Sequence, residues 1–440
     1  MNRILSILVG ALWVMAVARI LVPLPLVAEA LTWAMTGALV IYLLAILPTA
    51  PRHTKILCSI LGAATVAICA LYGQWNGIVD GLTRASIFPG FLATIVLLRA
   101  TADQRPEIAA ARRMFSALDP ARRDSGIVIG THMIGFIIQV GVFAILAPIL
   151  GRDAAAEERR EVFTAAIRGM SVVPLWSPFT VGMAVASQYL PLVPLWLIMS
   201  LGLSMAIICF TVSYFGFDRN RGFQPLILAM RSLVPVVIPI LIAAAAVVAT
   251  TMVTSLSTLQ ALIIALPIPC LLAILQVPTG SIRRALRQTV GGFSQIGPET
   301  SIICVATILG IVFEASLAHT GLIGWLENQN LAAAVIIFTV IMTMNLAGLL
   351  GVHPMVTGTM LLVMFTSVPT GVADLILMQA LLVGWGLGSG ISIGSLSVAT
   401  GATMFRLPPT QLVTRANIIF AFSTSAVLGT ILSALNYFLA

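Results

Sequence analysis

The residues best able to do chemistry lie between Leu381 and Pro409, LLVGWGLGSGISIGSLSVATGATMFRLPP, where hydroxyl side chains alternate with glycines in an otherwise apolar chain. Ser389, Ser392, Ser395 and Ser397 offer oxygens that can hold a cation and protons that can hold an anion. An earlier stretch from Ser171 to Pro194, SVVPLWSPFTVGMAVASQYLPLVP, offers Ser171, Ser177 and Thr180 in the same way. Any one of these hydroxyls alone can simply back-bond to its own helix. The doubled pattern is what points to a site that binds a substrate or an ion.

Other polar groups stand out because their surroundings are apolar. Gln139 and Asn345 are amides that can contact a solute or bond between helices. His353 precedes Pro354 and can donate to an anion, carry a coupling proton, or cap a carbonyl freed by the proline. Thr357 follows it closely, and His132 is a weaker candidate of the same type. Glu314, in ILGIVFEASLA, costs on the order of 3 kcal/mol in lipid unless paired, protonated or interfacial. It is a second candidate for a coupling proton site, or else it reaches the outer surface. Arg168 can attract an anion or snorkel, and Trp176 and Trp385 can wall a solute beside the two stretches.

These residues need elements that interrupt a helix at membrane depth. Glycine weakens a helix by about 1 kcal/mol against alanine, and Pro174 and Pro178 remove donors and clash with the preceding turn. The two stretches superpose, with Val181 over Val398, Leu190 over Leu407 and Pro191 over Pro408. Paired interrupted helices in corresponding positions of two halves mark transporter binding sites.

The composition sets the frame. Of 440 residues, 59% are hydrophobic and 9% charged, which excludes a soluble protein and leaves an integral membrane protein. The formal charge of +8 sits largely in short loops between apolar spans, so it reads as orientation information rather than nucleic-acid binding. Five cysteines lie in apolar runs without CxxC spacing, so no disulfide framework or metal site is indicated. Arg3, an apolar run and Ala28 to Ala30 imitate a secretory signal, but the run is long and another span follows at once, which favours a retained helix. No HExxH, GxxxxGK[ST] or GxSxG motif is present, so neither enzyme nor cofactor is expected, and energy must come from an ion gradient or a partner.

Apolar segments run at 4–22, 29–49, 54–73, 82–100, 125–150, 162–190, 193–214, 225–252, 258–277, 296–318, 331–366, 376–405 and 412–438. Arginines at 99–123, 219–221 and 283–287 place those loops in the cytoplasm, with the N-terminus inside. Parity then requires two segments to enter and leave by one face. The candidates are hairpins at 125–150, turning near Gly130, Gly135, Gln139 and Gly141, and at 331–366, interrupted by Asn345, Gly348, Gly351 and Pro354; the interrupted segments themselves satisfy the same arithmetic. The expected fold is an all-α polytopic membrane protein of about 11 transmembrane helices plus two re-entrant hairpins, in two inverted-topology repeats with interrupted helices. The repeats span 25–217 and 218–440, after an extra helix at 1–24.

This order of hairpin and broken helix resembles the ion transporter superfamily, which includes divalent anion/sodium symporters, arsenite permeases and the large membrane subunits of tripartite carboxylate transporters. The resemblance covers nearly all the chain from residue 29. SGISIGSLSVATG is similar to the unwound helix of the arsenite-permease branch. At the hairpin tips Ile138-Gln139-Val140 and the stretch from Gly351 to Thr357 stand where the symporters carry Ser-Asn-Thr. The resemblance implies one midplane site enclosed by two tips and two breaks, carried across by a hairpin-and-break bundle, often within a dimer. It implies symport of a small anion, foremost an organic carboxylate, with sodium or protons across a bacterial inner membrane. A cation/proton antiporter and a membrane subunit needing an accessory protein are the alternatives.

Overall fold

The computed structural model describes residues 2–107, 124–147, 150, 154–218, 223–277 and 280–439. Among them every regular element is a helix and none is a strand. In chain order the helices are α1 (Asn2–Leu21), α2 (Pro25–Ile46), α3 (Arg52–Tyr72), α4 (Asn76–Ala85), α5 (Phe88–Asp103), α6 (Asp124–Ile138), α7 (Val142–Leu146), α8 (Ala156–Ser171), α9 (Val181–Tyr189), α10 (Leu195–Gly216) and α11 (Phe223–Val253). There follow α12 (Thr258–Ala265), α13 (Pro267–Leu275), α14 (Gly280–Phe293), α15 (Gly297–Thr320), α16 (Leu322–Asn328), α17 (Ala333–Leu349), α18 (Pro354–Thr366), α19 (Asp374–Gly390), α20 (Leu396–Phe405), α21 (Pro409–Leu412) and α22 (Arg415–Leu439).

Local chemistry sets the ends of these helices. Pro25, Pro267 and Pro409 stand in the first turns of their helices, where an amide proton has no partner to lose. Ser257 and Gln260 form a reciprocal capping box at the start of α12. Among the described residues 9 helical stretches, from Arg3–Leu21 to Arg415–Leu439, are long and apolar enough to cross a membrane. The protein is a multi-pass helical membrane protein.

The chain divides into two compact units that interleave in sequence. Unit 1 comprises Met1–Gln104, Ala249–Asn330 and Thr359–Pro369. Within it α15 packs on α3 and α4, and α1 packs on α2 and α5. Unit 2 comprises Arg105–Val248, Leu331–Gly358 and Thr370–Ala440. Here α6 lies along α8, α17 along α19, and α22 against both α17 and α19. Each unit therefore draws on both of the repeats expected from the sequence. The arginines expected to line cytoplasmic loops at 112, 113, 122, 123, 219 and 221 lie outside the described residues.

Three breaks differ in detail from the sequence expectation. The 125–150 segment stays helical through Gly130 and Gly135 and changes course at Gln139, whose φ is 52° and which opens the 3-10 turn Gln139–Gly141. The 331–366 segment turns at Gly351, with φ 82°. Gly358 thereby returns beside Met344, whose Cε would lie 3.6 Å from a β-carbon at 358. The glycine run of 384–390, expected to unwind the chain, is instead helical, and the interruption is confined to residues 391–395. Those glycines serve close approach, since a β-carbon on Gly386 would collide with the Ser171 carbonyl.

Left-handed backbone costs an L-residue roughly 1–2 kcal/mol. Gly351→Ala should therefore lower the melting temperature of the detergent-purified protein, whereas Leu350→Ala, at a position 81% exposed, should leave it unchanged.

Candidate functional site

The site is built on two interrupted helices of unit 2. In the first, α8 ends at Ser171, a 3-10 turn spans Val173–Leu175, and the chain stays irregular until Thr180 caps α9. Pro174 and Pro178 lie within this gap and cannot donate. In the second, α19 ends at Gly390 and Ser395 caps α20. Each cap places a hydroxyl oxygen on a backbone N–H, Met183 on Thr180 at 3.4 Å and Val398 on Ser395 at 3.2 Å. Each cap begins the helix that follows its break, so each break presents the positive end of a half-helix.

A chain reversal meets each break. Gln139 donates its Nε2 to the Phe179 carbonyl at 2.6 Å, tying the first turn to the first break. At the second, a β-carbon on Gly394 would strike the Gly351 carbonyl, so the second turn rests directly on the second break. Both turning residues have positive φ.

The breaks are also tied to one another through α19. Gln379 donates to the Leu175 carbonyl at 3.2 Å, satisfying an acceptor that the first break had freed. Trp385 fills the space between two glycines, with ring atoms 3.0 Å from where a β-carbon of Gly182 would sit and 2.9 Å from that of Gly358. Trp176 donates its indole N–H to His132 Nε2 at 3.0 Å. An indole nitrogen cannot accept, so the neutral His132 carries its proton on Nδ1 and gives it to the Gly169 carbonyl, 3.2 Å away.

The remaining sequence candidates divide into structural and open groups. Ser171 back-bonds to Arg168 O at 2.9 Å and Ser389 to Trp385 O at 2.6 Å. Ser177 accepts from the Phe179 N–H at 3.3 Å within the first break. His353 accepts from the Met355 N–H at 3.2 Å and so starts α18. Thr357 and Ser397 are half-buried on α18 and α20. Glu314 is exposed on α15 of unit 1, where it shares a shallow recess with Asp80, Thr83 and Arg84.

Among the buried oxygens without a donor are Ser392 Oγ in the second break, Asn345 Oδ1 on α17 and Gln379 Oε1 on α19. All three residues are 0% exposed. Asn345 spends its amide protons on Ser425 Oγ at 2.7 Å, which turns its carbonyl oxygen toward Gly388, one turn before Ser392. Neutral oxygens of this kind can coordinate an alkali cation. Among the described residues no group of His, Cys, Asp and Glu could hold a metal ion.

Two participants were not singled out from sequence. Gln379 carried the same signal as Gln139 and Asn345, an amide within an apolar run. Asp218 carried none, since its partner Arg168 is distant in the chain. The two form an ion pair at 3.2 Å with side chains 4% and 2% exposed. Asp218 lies just beyond the α10 span; burial raises its carboxyl above the ordinary value, opposed by the Ser125 hydroxyl and the Arg168 guanidinium.

The sequence matches no protein-family model and no curated protein.

Losing one partner of a buried hydrogen bond costs about 1–3 kcal/mol, whereas removing a group that already lacks a partner is nearly neutral. Thermal unfolding in detergent should therefore show Gln139→Leu clearly destabilised, because the Phe179 carbonyl loses its donor. Ser392→Ala should unfold at the wild-type temperature or above.

Proposed function

We propose that this chain is a secondary active transporter moving a small anion, foremost an organic carboxylate, across a bacterial inner membrane by symport with sodium or protons. Its N-terminus is cytoplasmic, and its two inverted-topology repeats each contribute a re-entrant hairpin and an interrupted helix. The observation that carries this reading is the pairing of each break with a reversal of positive φ, Gln139 on Phe179 and Gly351 against Gly394. A purely structural helix gains nothing from being interrupted in lipid. An alternating-access site needs such backbone where it can meet a solute.

Chain direction supports the hairpins. Asp124 lines the same cavity as Thr164 and Arg168, and Gln139 bonds at Phe179, so α6 and the first interrupted helix run the same way. The start of α8 at Ala156 therefore lies on the side from which α6 started. In the second half α17 likewise runs with α19, Met344 lying at Gly384 and Gly351 at Gly394, while Gly358 has come back to Met344. Unit 2 gathers both breaks and both turns, which suits a moving bundle, and unit 1 then suits a scaffold.

The chemistry divides in two. Capped half-helix ends at Thr180 and Ser395 favour an anion. The oxygens of Ser392 and Asn345 favour a cation beside it, which is what symport with sodium requires.

Protein reconstituted in vesicles should accumulate a labelled carboxylate when an inward sodium or proton gradient is imposed. Indifference to both gradients overturns the symport reading. In the same assay Glu314→Gln should keep more than about half of the wild-type rate, because Glu314 belongs to unit 1, whereas both breaks and both turns belong to unit 2. A cation/proton antiporter relying on Glu314 would instead be silenced.

A further inference from the structure

A cavity of about 690 Å³ opens in unit 2 between the first turns of α8 and the junction of α21 with α22. That is within the range of roughly 300–1,000 Å³ typical of small-molecule sites. Arg168 forms part of its wall although it is only 4% exposed. Its Nη1 bonds Asp218 at 3.2 Å and Ser213 Oγ at 3.3 Å, and its Nε bonds the Thr164 carbonyl at 3.4 Å. At the rim Arg415 is exposed and makes no ion pair among the described residues. Arg160 by contrast is held by Glu157 at 2.6 Å.

We propose that Arg168 is an anion-binding residue of this cavity, that Asp218 occupies the place of the ligand's carboxylate in the conformation seen, and that the ligand is a solute with a single carboxylate group. It rests on the transporter reading only in taking the ligand to be the transported solute. A cation so deeply buried would be strongly destabilising without a partner. Asp218 supplies that partner when no solute is bound, and it is itself anchored to α6 through Ser125 at 2.6 Å and to α10 through Ser213 at 3.2 Å. An incoming carboxylate takes over the guanidinium, loosening α8 from both neighbours and linking occupancy to movement. The ligand class follows from the rest of the wall. Asp124 and Glu161 also line the cavity, where Glu157 and Arg160 neutralise each other, so these two carboxylates oppose a second negative charge on the ligand. One carboxylate on a body bearing hydroxyl or ammonium groups meets Arg168 at one end and these carboxylates at the other.

The test is calorimetric binding to the purified full-length protein of glycerate, gluconate and alanine, against succinate, citrate and inorganic phosphate, with uptake into vesicles measured in parallel. At least one of the first three should bind more tightly than all of the second. Arg168→Lys should weaken that binding about tenfold or more, since an ammonium cannot replace the planar fork. Asp218→Asn should tighten it at least about threefold by removing the internal competitor. Arg415→Gln, at an exposed position, should melt like the wild type yet bind about twofold more weakly at low salt, so the result does not hang on variants that fold poorly. Tighter binding of succinate or citrate overturns the ligand class. Unchanged affinity in Arg168→Lys, Asp218→Asn and Arg415→Gln, in a protein that still transports, overturns the site while leaving the transporter reading intact. No uptake of any solute by the wild type overturns that reading first.

Discussion

Hydrocarbon offers a backbone no water, so every interruption of a helix in lipid must bring its own donors and acceptors. The arrangement of unit 2 follows from that constraint. The first break frees the carbonyls of Leu175 and Phe179, which are met by the amides of Gln379 and Gln139. The helices restarting after each break expose N–H groups, and these are met by Thr180 and Ser395. For the carbonyls of the first break the donors come from other elements, α19 and the turn after α6, so that break is not stable in isolation. Each bond is worth about 1 kcal/mol in a membrane, but leaving the carbonyl bare would cost several.

The same logic explains the aromatic packing. Trp176 gives its indole proton to His132, and His132 passes its own to Gly169, so a short relay joins the end of α8, the first break and α6 without a charge. Trp385 sits over two glycines instead of against side chains, which brings α19 close to both α9 and the returning limb of the second turn. With these contacts satisfied, the groups left over gain meaning. Ser392, Asn345 and Gln379 each keep a buried oxygen without a donor on the elements that form or support the breaks.

Much of this was legible beforehand. The apolar segments match the helices to within a few residues because span length and hydropathy act locally. Prolines at 174 and 178 marked the first break correctly, since a missing N–H disrupts a helix whatever surrounds it. Glycines were poorer guides. The run at 384–390 looked like an unwound stretch but is helical, because glycine permits both unwinding and close packing and only the neighbouring chain selects between them. Ser171 and Ser389 carried the right residue type in the right region yet bond to their own helices, a choice made by rotamer and not by spacing.

By itself, then, the sequence determined that this is a many-spanned helical membrane protein with an interruption at Pro174 and Pro178, since hydropathy, proline and residue type need no distant partner to exert their effect. Only the tertiary structure decided which polar groups are spent and which are spare. Arg168 and Asp218, far apart in the chain, become one buried ion pair. Gln139 and Gln379 become the donors of the first break. Glu314, alike in type to any intramembrane acid, falls on an exposed face of unit 1. Such assignments depend on which helices lie side by side, and packing between remote segments leaves no local trace in the order of residues.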